Sequence, residues 1–147
     1  MERGVFTIFG LKTYGCHING YIKKDGNYLM WIARRAKTKQ TYPGMLDNFA
    51  GGGLSSGLNP TECAKKELEE EAFVPKEISF NIKSVEVVSY AYICGEGLLK
   101  RESHFVFDLK LPLDFKPFPK DGEAESFYLM SIDEVISLNN YAFLKIC

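Results

Sequence analysis

Two runs of residues that favour β-structure lie near the start of the chain, which predicts two β-strands there. Residues 15–23 and 27–33 are rich in β-branched and aromatic side chains, and Lys24-Asp25-Gly26 lies between them. Because Asp-Gly favours a tight turn, the two strands are predicted to pair as a hairpin. Short strands are also predicted at residues 5–9, before the hairpin, and at residues 45–50, after it. A glycine-rich loop is predicted at residues 51–57.

A helix is predicted to begin directly after the glycine-rich loop. Asn59 can cap it, Pro60 suits its first position, and Glu62 completes the spacing of a capping box. Pro75 predicts where the helix ends. The apolar face of this helix consists of Ala64, Leu68 and Ala72. Because these side chains are mostly small, the face is expected to pack close to a sheet.

The second half of the chain predicts further strands and one more helix. Long β-rich runs lie at residues 78–94 and 98–111, around a turn at Gly95-Glu96-Gly97. They are followed by a proline-containing loop at residues 112–122 and a strand at residues 127–130. Ser131 and Glu134 have the spacing of a capping box, which predicts a helix from there to Leu138. The order of strands, helix, strands and helix predicts an α+β sandwich with a mixed β-sheet, in a single domain over residues 1–147.

Composition narrows the classes of function. The chain has 147 residues, 46% hydrophobic and 25% charged, which is typical of globular domains and excludes disordered or fibrous chains. Lys and Arg number 18 against 19 Asp and Glu, so the net charge of −1 favours neither nucleic acid nor a membrane as a partner. No window reaches the ~18 apolar residues of a membrane span. The four cysteines lack C-x-x-C spacing, so we expect reduced thiols in a cytoplasmic protein.

Three carboxylates on the predicted helix are the first candidates for chemistry. Glu67, Glu70 and Glu71 are spaced i, i+3 and i+4, which places them on one helix face. Like charges one turn apart, near a helix C-terminus, cost from tenths of a kcal/mol to about 1 kcal/mol. A divalent cation reverses the sign of that energy, because Mg²⁺ prefers oxygen ligands. The alternative is a solvated charged face, in which Lys66 pairs with Glu70.

The glycine-rich stretch and the helix together resemble the Nudix box, G-x5-E-x7-R-E-U-x-E-E-x-G-U, in which U is an aliphatic residue. With Gly52 as the first glycine, the box covers residues 52–74, and six of its nine fixed positions agree. The matching residues are Gly52, Glu67, Leu68, Glu70, Glu71 and Val74. The departures are Leu58 for the first Glu, Lys66 for the Arg and Phe73 for the last Gly.

This resemblance implies a Nudix-type α/β/α sandwich and a hydrolase that uses Mg²⁺ or Mn²⁺ to cleave a small-molecule diphosphate. The metal would neutralise phosphate charge and activate a water. The implied catalytic residues are the three box carboxylates, of which Glu70 and Glu71 are metal ligands and Glu67 is a ligand or orients the nucleophile. The further candidate metal ligands are the Gly51 carbonyl and a carboxylate of a later loop, Glu123 or Glu125.

A longer resemblance points to one branch of the family. Most of residues 5–146 is similar to the Nudix domains fused or related to fungal thiamine pyrophosphokinase. The stretches that carry this similarity are residues 13–21, 29–35, 41–48, 67–72, 106–112 and 121–127. Because that branch is associated with hydrolysis of oxidised thiamine diphosphate, the implied substrate is thiamine diphosphate or an oxidised derivative. Arg34 and Arg35 are candidate substrate-binding residues, since a guanidinium matches two phosphate oxygens.

Two other functions remain as alternatives. A Nudix module that binds a nucleotide or a protein without catalysis would account for the missing Glu at position 58 and the missing Arg at position 66. Residues 42–48 also resemble isopentenyl-diphosphate isomerases, which share the Nudix fold. Those enzymes carry a cysteine in the region equivalent to residues 48–53, where this chain has none, which argues against an isomerase.

Overall fold

The computed structural model of the chain describes residues 9–93 and 97–140. Within these ranges the elements are β1 (Lys12–Lys24), β2 (Asn27–Arg35), β3 (Leu46–Asp47), β4 (Ala50–Gly53), α1 (Pro60–Ala72), α2 (Lys76–Ser79), β5 (Lys83–Ile93), β6 (Leu99–Lys110), β7 (Ala124–Ser131) and α3 (Ile132–Asn140). The strand predicted at residues 5–9 and the turn predicted at residues 95–97 lie largely outside the described residues.

The centre of the fold is β1, which has partners on both edges. Along one edge it pairs in parallel with β6, from Lys12 with Arg101 to Tyr21 with Lys110. Along the other edge its first half pairs with β4 and its second half with β2, both antiparallel. β2 continues beyond β1 to pair with β3, and its other edge pairs with β7. β5 pairs with β6. The sheet is therefore mixed, as predicted, and it forks where β2 and β4 separate.

The two longer helices pack on opposite faces of this sheet. α1 presents four buried residues to the first core: Cys63, Ala64, Leu68 and Ala72. α3 packs Val135 with Ile32 and Leu46 in a second cluster. Trp31 packs in the first core and Ile32 in the second, because successive residues of a strand point to opposite faces. Helices on both faces of a mixed sheet confirm the predicted α+β class. No helix in residues 9–93 and 97–140 is long and apolar enough to cross a membrane.

Cys16 of β1 and Cys63 of α1 meet where the helix packs on the sheet. Their Sγ atoms are 3.5 Å apart, and both side chains are buried. Burial raises the pKa of both thiols, which keeps them protonated and unreactive. Both cysteines are free of disulfides, as expected from the sequence for these two positions.

Local sequence signals are confirmed at the first hairpin and along α1. Asp25 and Gly26 have φ angles of 50° and 83°, the left-handed conformations of a type I′ turn. Asn59 Oδ1 accepts a hydrogen bond from Glu62 N–H, and Glu62 Oε2 accepts one from Asn59 N–H, both at 2.9 Å. Phe73, at the last glycine of the box pattern, has a φ of 53° and forms the C-cap of α1. It therefore keeps the left-handed backbone that glycine favours at a helix end.

The C-terminal elements also agree with the sequence. Ser131 N–H donates a hydrogen bond to Glu134 Oε2 at 2.7 Å, and Ser131 Oγ accepts one from Glu134 N–H at 3.3 Å, which caps α3. The strand predicted at residues 127–130 is longer, because β7 begins at Ala124. Residues 112–122 form the predicted loop.

Three local predictions are wrong. Residues 45–50 are not one strand, because β3 ends at Asp47 and β4 begins at Ala50. Gly51–Gly53 do not form a loop but belong to β4, which lies so close to β1 that a Cβ at Gly51 would be 2.8 Å from the Cys16 carbonyl oxygen. The segment from residue 78 does not begin as a strand. Pro75 initiates α2 there, since its carbonyl accepts hydrogen bonds from the N–H groups of residues 78 and 79.

Candidate active site

Glu71 lies in the seam between α1 and β4. Its Oε2 accepts a hydrogen bond from Gly51 N–H at 2.8 Å. Burial raises the pKa of the Glu71 carboxyl well above its ordinary value. The hydrogen bond from Gly51 opposes that rise in pKa, while the charges of Glu67, Glu123 and Asp121 reinforce it. A buried carboxyl surrounded by other carboxylates is disfavoured as an anion unless a cation compensates it.

Two carboxylates of the loop before β7 form a group with Glu71. One oxygen each of Glu71, Asp121 and Glu123 lies within 4.8 Å of the other two. Lys39 Nζ is 2.7 Å from Glu123 Oε2. Burial acts to raise the pKa of Glu123, but the hydrogen bond and charge of Lys39 outweigh it, so the pKa of Glu123 is lowered. Of the two late carboxylates that the sequence suggested, Glu123 is brought to Glu71, and Glu125 is outside this group.

Glu67 lies one helical turn before Glu71 and packs against the backbone of Gly52. A Cβ at position 52 would be 2.5 Å from Glu67 Oε1 and 2.6 Å from Glu67 Oε2. These separations are far below van der Waals contact, so only glycine leaves room for this carboxylate beside β4. The first glycine of the box is therefore tied to Glu67 by close packing.

Glu70 points to solvent and pairs with Lys66. The Lys66 Nζ is 2.5 Å from Glu70 Oε2 and 3.9 Å from Glu67 Oε1. The hydrogen bond to Glu70 raises the pKa of Lys66. Lys66, which stands where the box pattern has arginine, therefore contacts two of the three box carboxylates. This is also the pairing that a solvated charged face predicts, so Glu70 alone does not distinguish a metal site from such a face.

The two arginines suggested for substrate binding differ in their surroundings. Arg35 lines the small cleft beside Glu71 and Glu123, and its guanidinium forms an ion pair with Asp47 at 2.7 Å. The same guanidinium donates hydrogen bonds to backbone carbonyls of the loop before β3. Arg34 donates to a carbonyl of that loop and lies over the Tyr128 ring at 5.5 Å. Both arginines thus have protein partners, and their contact with a substrate stays a prediction.

The residues of this cleft fit a divalent cation. Carboxylate and carbonyl oxygens are the ligands that Mg²⁺ prefers. The cleft places Glu71 and Glu123 beside the backbone of Gly51, and Asp121 adds a third carboxylate. A cation held there would offset the cost of placing the half-buried Glu71 carboxyl beside the other carboxylates.

A larger cavity of about 180 Å³ lies beside the cleft, at the fork of the sheet. Its polar lining residues are His17, Asn19, Asn48 and Glu86. Apolar side chains of β2, β5, β6 and α3 and the ring of Phe49 form the rest of its wall. Asn48 lines both the cleft and the cavity, so the two spaces adjoin.

Sequence reasoning did not identify Asp121, Lys39 or the cavity residues. The sequence held a signal for Asp121, because Asp121-Gly122-Glu123 is typical of a turn and carries two carboxylates. In the structure Gly122 has a φ of 77°, and Asp121 Oδ1 accepts a hydrogen bond from Glu123 N–H at 2.9 Å. Lys39 stood in a basic stretch without a distinguishing pattern. Asn19 and Glu86 lie on strands that only the sheet topology brings to one cavity.

Comparisons with known proteins agree with the geometry. The profile of the NUDIX domain matches residues 20–145. The chain is 44% identical over 138 residues to Nudix hydrolase 20, chloroplastic, of Arabidopsis thaliana, a match that covers 94% of this chain and 37% of that protein. The fold of the present chain is similar to that of a C. elegans Ap4A hydrolase, with a TM-score of 0.63 and 17% identity over 88% of each chain.

A second solved structure has the same fold. The NUDIX domain of Shewanella oneidensis NrtR, complexed with ADP ribose, gives a TM-score of 0.66 at 10% identity, over 93% of this chain and 88% of that one. The chain spans less than half the length of three curated relatives that it matches over 93–94% of its own residues. Because the family profile matches most of the chain, and Glu67 and Glu71 of the box lie against the glycines of β4, this chain belongs to the Nudix family.

Proposed function

We propose that the protein is a metal-dependent diphosphatase that cleaves a phosphoric anhydride in a small-molecule diphosphate and releases a monophosphate. The observation that carries this proposal is the half-buried Glu71 carboxyl, which accepts a hydrogen bond from Gly51 N–H and is faced by Asp121 and Glu123 from a distant part of the chain. Gathering carboxylates in a seam costs folding free energy, and a divalent cation that also binds phosphate gives that arrangement a function.

The proposed metal ligands are Glu70, Glu71 and the Gly51 carbonyl, with Glu67 as a further ligand or as the base. Glu123 is proposed as the late carboxylate in preference to Glu125, because it is the one that lies beside Glu71. When bound, Mg²⁺ or Mn²⁺ supplies a Lewis acid that neutralises phosphate charge and lowers the pKa of a water. The lowered pKa of Glu123 keeps this residue ionised and ready as a ligand at neutral pH.

Glu67 is the residue best placed to handle the nucleophile. Its carboxylate is fixed against Gly52, so its oxygens have a defined position beside β4. In the proposed step Glu67 orients a water and accepts its proton, the water oxygen bonds to phosphorus, and the bridging P–O bond breaks. The bond electrons leave with the departing phosphate oxygen. Lys66 Nζ, 3.9 Å from Glu67 Oε1, places a positive charge beside that carboxylate.

The proposed substrate is thiamine diphosphate or one of its oxidised derivatives. This rests on the sequence resemblance over residues 5–146 to the fungal branch, together with the adjoining cavity, which can hold a ring next to the diphosphate. Arg35 is proposed to contribute positive charge at the cleft, where it would attract phosphate oxygens.

The experiment that tests the function is product analysis by mass spectrometry with and without Mg²⁺. The panel contains thiamine diphosphate, its oxidised forms, ADP-ribose, NADH, a nucleotide sugar and isopentenyl diphosphate. We expect thiamine monophosphate species, formed only with metal and lost in Glu70→Gln and Glu71→Gln. Activity confined to ADP-ribose or NADH would keep the chemistry and remove the thiamine substrate. Isomerised isopentenyl diphosphate would overturn the diphosphatase function and favour an isomerase. No turnover of any compound would also overturn it and would favour a binding module without catalysis.

A further inference from the structure

The cavity at the fork of the sheet has the size of a single ring. Its volume is about 180 Å³, and a cavity of about 150 Å³ is enough to hold benzene. Met30 and Ile32 of β2, Phe49, and Val106 of β6 give it flat apolar walls. Such walls suit the faces of an aromatic or heteroaromatic ring, whose apolar surface is removed from water on binding.

The position of the cavity links it to the diphosphate site. Asn48 lies between the two spaces and lines both of them. Gly51 forms the other connection, because it lines the cleft and pairs with His17 of β1, which lines the cavity. A diphosphate held at Glu71 can therefore extend its organic group into the cavity without leaving the protein surface.

Two of the polar residues of the cavity, Asn19 and Glu86, offer hydrogen-bond acceptors. Asn19 Nδ2 donates to Asp108 Oδ1 at 3.0 Å. Because a carboxylate only accepts, this bond fixes the amide of Asn19 and leaves its Oδ1 as an acceptor. Glu86 of β5 lines the same cavity and is exposed to solvent, and its carboxylate has no hydrogen bond or ion pair with any other residue in the described part of the chain. His17 lies with its ring against His104, at 4.2 Å between ring centroids.

We propose that Glu86 and Asn19 are specificity-determining residues, and that they select a nitrogen heterocycle whose edge presents N–H donors. The proposal rests on the proposed diphosphatase function, since it assigns the organic group of that substrate to this cavity. A ring with N–H donors satisfies both acceptors while its faces lie against the apolar walls. A ring of the same shape without donors forms neither hydrogen bond and binds less tightly.

The test compares two ligands that differ only in a ring donor, thiamine diphosphate and its analogue without the ring amino group. The kcat/KM ratio of the pair is measured for the wild type, for Glu86→Met, and for Glu77→Met as the matched control. Glu77 is an exposed glutamate on α2, and it does not line the cavity. We expect the wild type and the control to prefer the amino compound by about tenfold, and Glu86→Met to lose most of this preference.

A binding measurement separates this proposal from the proposed function. Calorimetry with the two corresponding monophosphates, in the absence of metal, reports on the cavity without catalysis. A preference for the amino compound that Glu86→Met abolishes supports the assignment even if no diphosphate is hydrolysed. An equal affinity of the wild type for both monophosphates, or a preference that survives in Glu86→Met, overturns it. Hydrolysis of both diphosphates at equal kcat/KM would support the diphosphatase function but overturn the proposed specificity role of Glu86 and Asn19.

Discussion

The Glu67 carboxylate occupies the space that a side chain at Gly52 would need. A Cβ at that position would lie 2.5 Å from Glu67 Oε1. Gly52 pairs with Cys16 of β1, so the backbone there is held by the sheet and cannot move away from α1. The glycine and the glutamate therefore form one structural unit, although fourteen positions separate them along the chain.

Gly52→Ala is expected to displace Glu67 and to lower kcat for diphosphate hydrolysis by about 100-fold, because a misplacement of about 1 Å at a reacting group costs that much. The variant should remain folded, which circular dichroism would show. Since Gly52→Ala and Glu67→Gln act on the same carboxylate, the double variant should be no slower than Glu67→Gln alone. Full activity of Gly52→Ala would contradict the proposed role of Glu67.

Glu71→Gln is expected to change stability in opposite directions with and without metal. The pKa of Glu71 is higher in the folded protein than in the unfolded chain, so ionisation of Glu71 destabilises the metal-free fold once the pH exceeds the ordinary pKa of a glutamate. Because Gln is neutral, Glu71→Gln should raise the metal-free Tm at pH 7. Mg²⁺ at 100 times its Kd should stabilise the wild type by about 2.7 kcal/mol and the variant much less. Thermal melts with a Mg²⁺ titration measure both effects.

The matched control for that titration is Glu125→Gln. Glu125 lies in the same segment as Glu123 but outside the group of three carboxylates. We expect Glu123→Gln to weaken the Mg²⁺-induced shift in Tm and Glu125→Gln to leave it unchanged. A larger loss in Glu125→Gln than in Glu123→Gln would show that the loop before β7 presents the other carboxylate to the metal.

Acid should remove a small contribution of Glu102 to stability. The His104 imidazole, with Nε2 3.9 Å from Glu102 Oε2, is the main cause that lowers the pKa of Glu102 from 4.5 to about 2, against the opposing effect of burial. Because the folded pKa is depressed, this stabilisation is fully present above pH 4.5 and disappears as the pH falls towards 2. Screening by solvent limits it to about 1 kcal/mol or less.

Urea denaturation of the wild type and Glu102→Gln between pH 3 and pH 7 tests this contribution. The difference in unfolding free energy should be constant from pH 7 down to about pH 5 and should shrink below that. A difference that grows as the pH falls would mean that the His104 interaction is not what stabilises the ionised form of Glu102.

Asn59→Ala is expected to lower the free energy of unfolding by about 1 kcal/mol, because it removes the side-chain acceptor at the N-terminus of α1. For a domain of this size, that corresponds to a fall in Tm of about 2–4 °C. Asn59→Asp keeps the acceptor and should retain the wild-type Tm within about 1 °C. Equal losses in both variants would indicate that the capping bond contributes little.

Much of the site could be predicted from the sequence because the relevant signals are local. The spacing of Glu67, Glu70 and Glu71 places them on one face of any helix, and Asn59 with Glu62 defines where that helix begins. The Asp25-Gly26 turn is likewise specified by residues that tolerate a positive φ. These features depend on backbone geometry over a few residues, so no knowledge of the sheet is needed.

The tertiary structure decided what lies across from that helix face. Gly51–Gly53 are a strand only because β1 lies alongside them, and no pattern within these glycines indicates the pairing. Asp121 and Glu123 reach Glu71 only after β7 has paired with β2, and the cavity between Asn19 and Glu86 exists only where β2 and β4 separate. Such contacts join distant parts of the chain through the sheet, and the alternation of side chains along a strand does not say which strand will be its neighbour. The sequence by itself therefore determined the helix, its carboxylates and the family, while long-range strand pairing decided which late carboxylates lie beside Glu71 and what shape the cavity has.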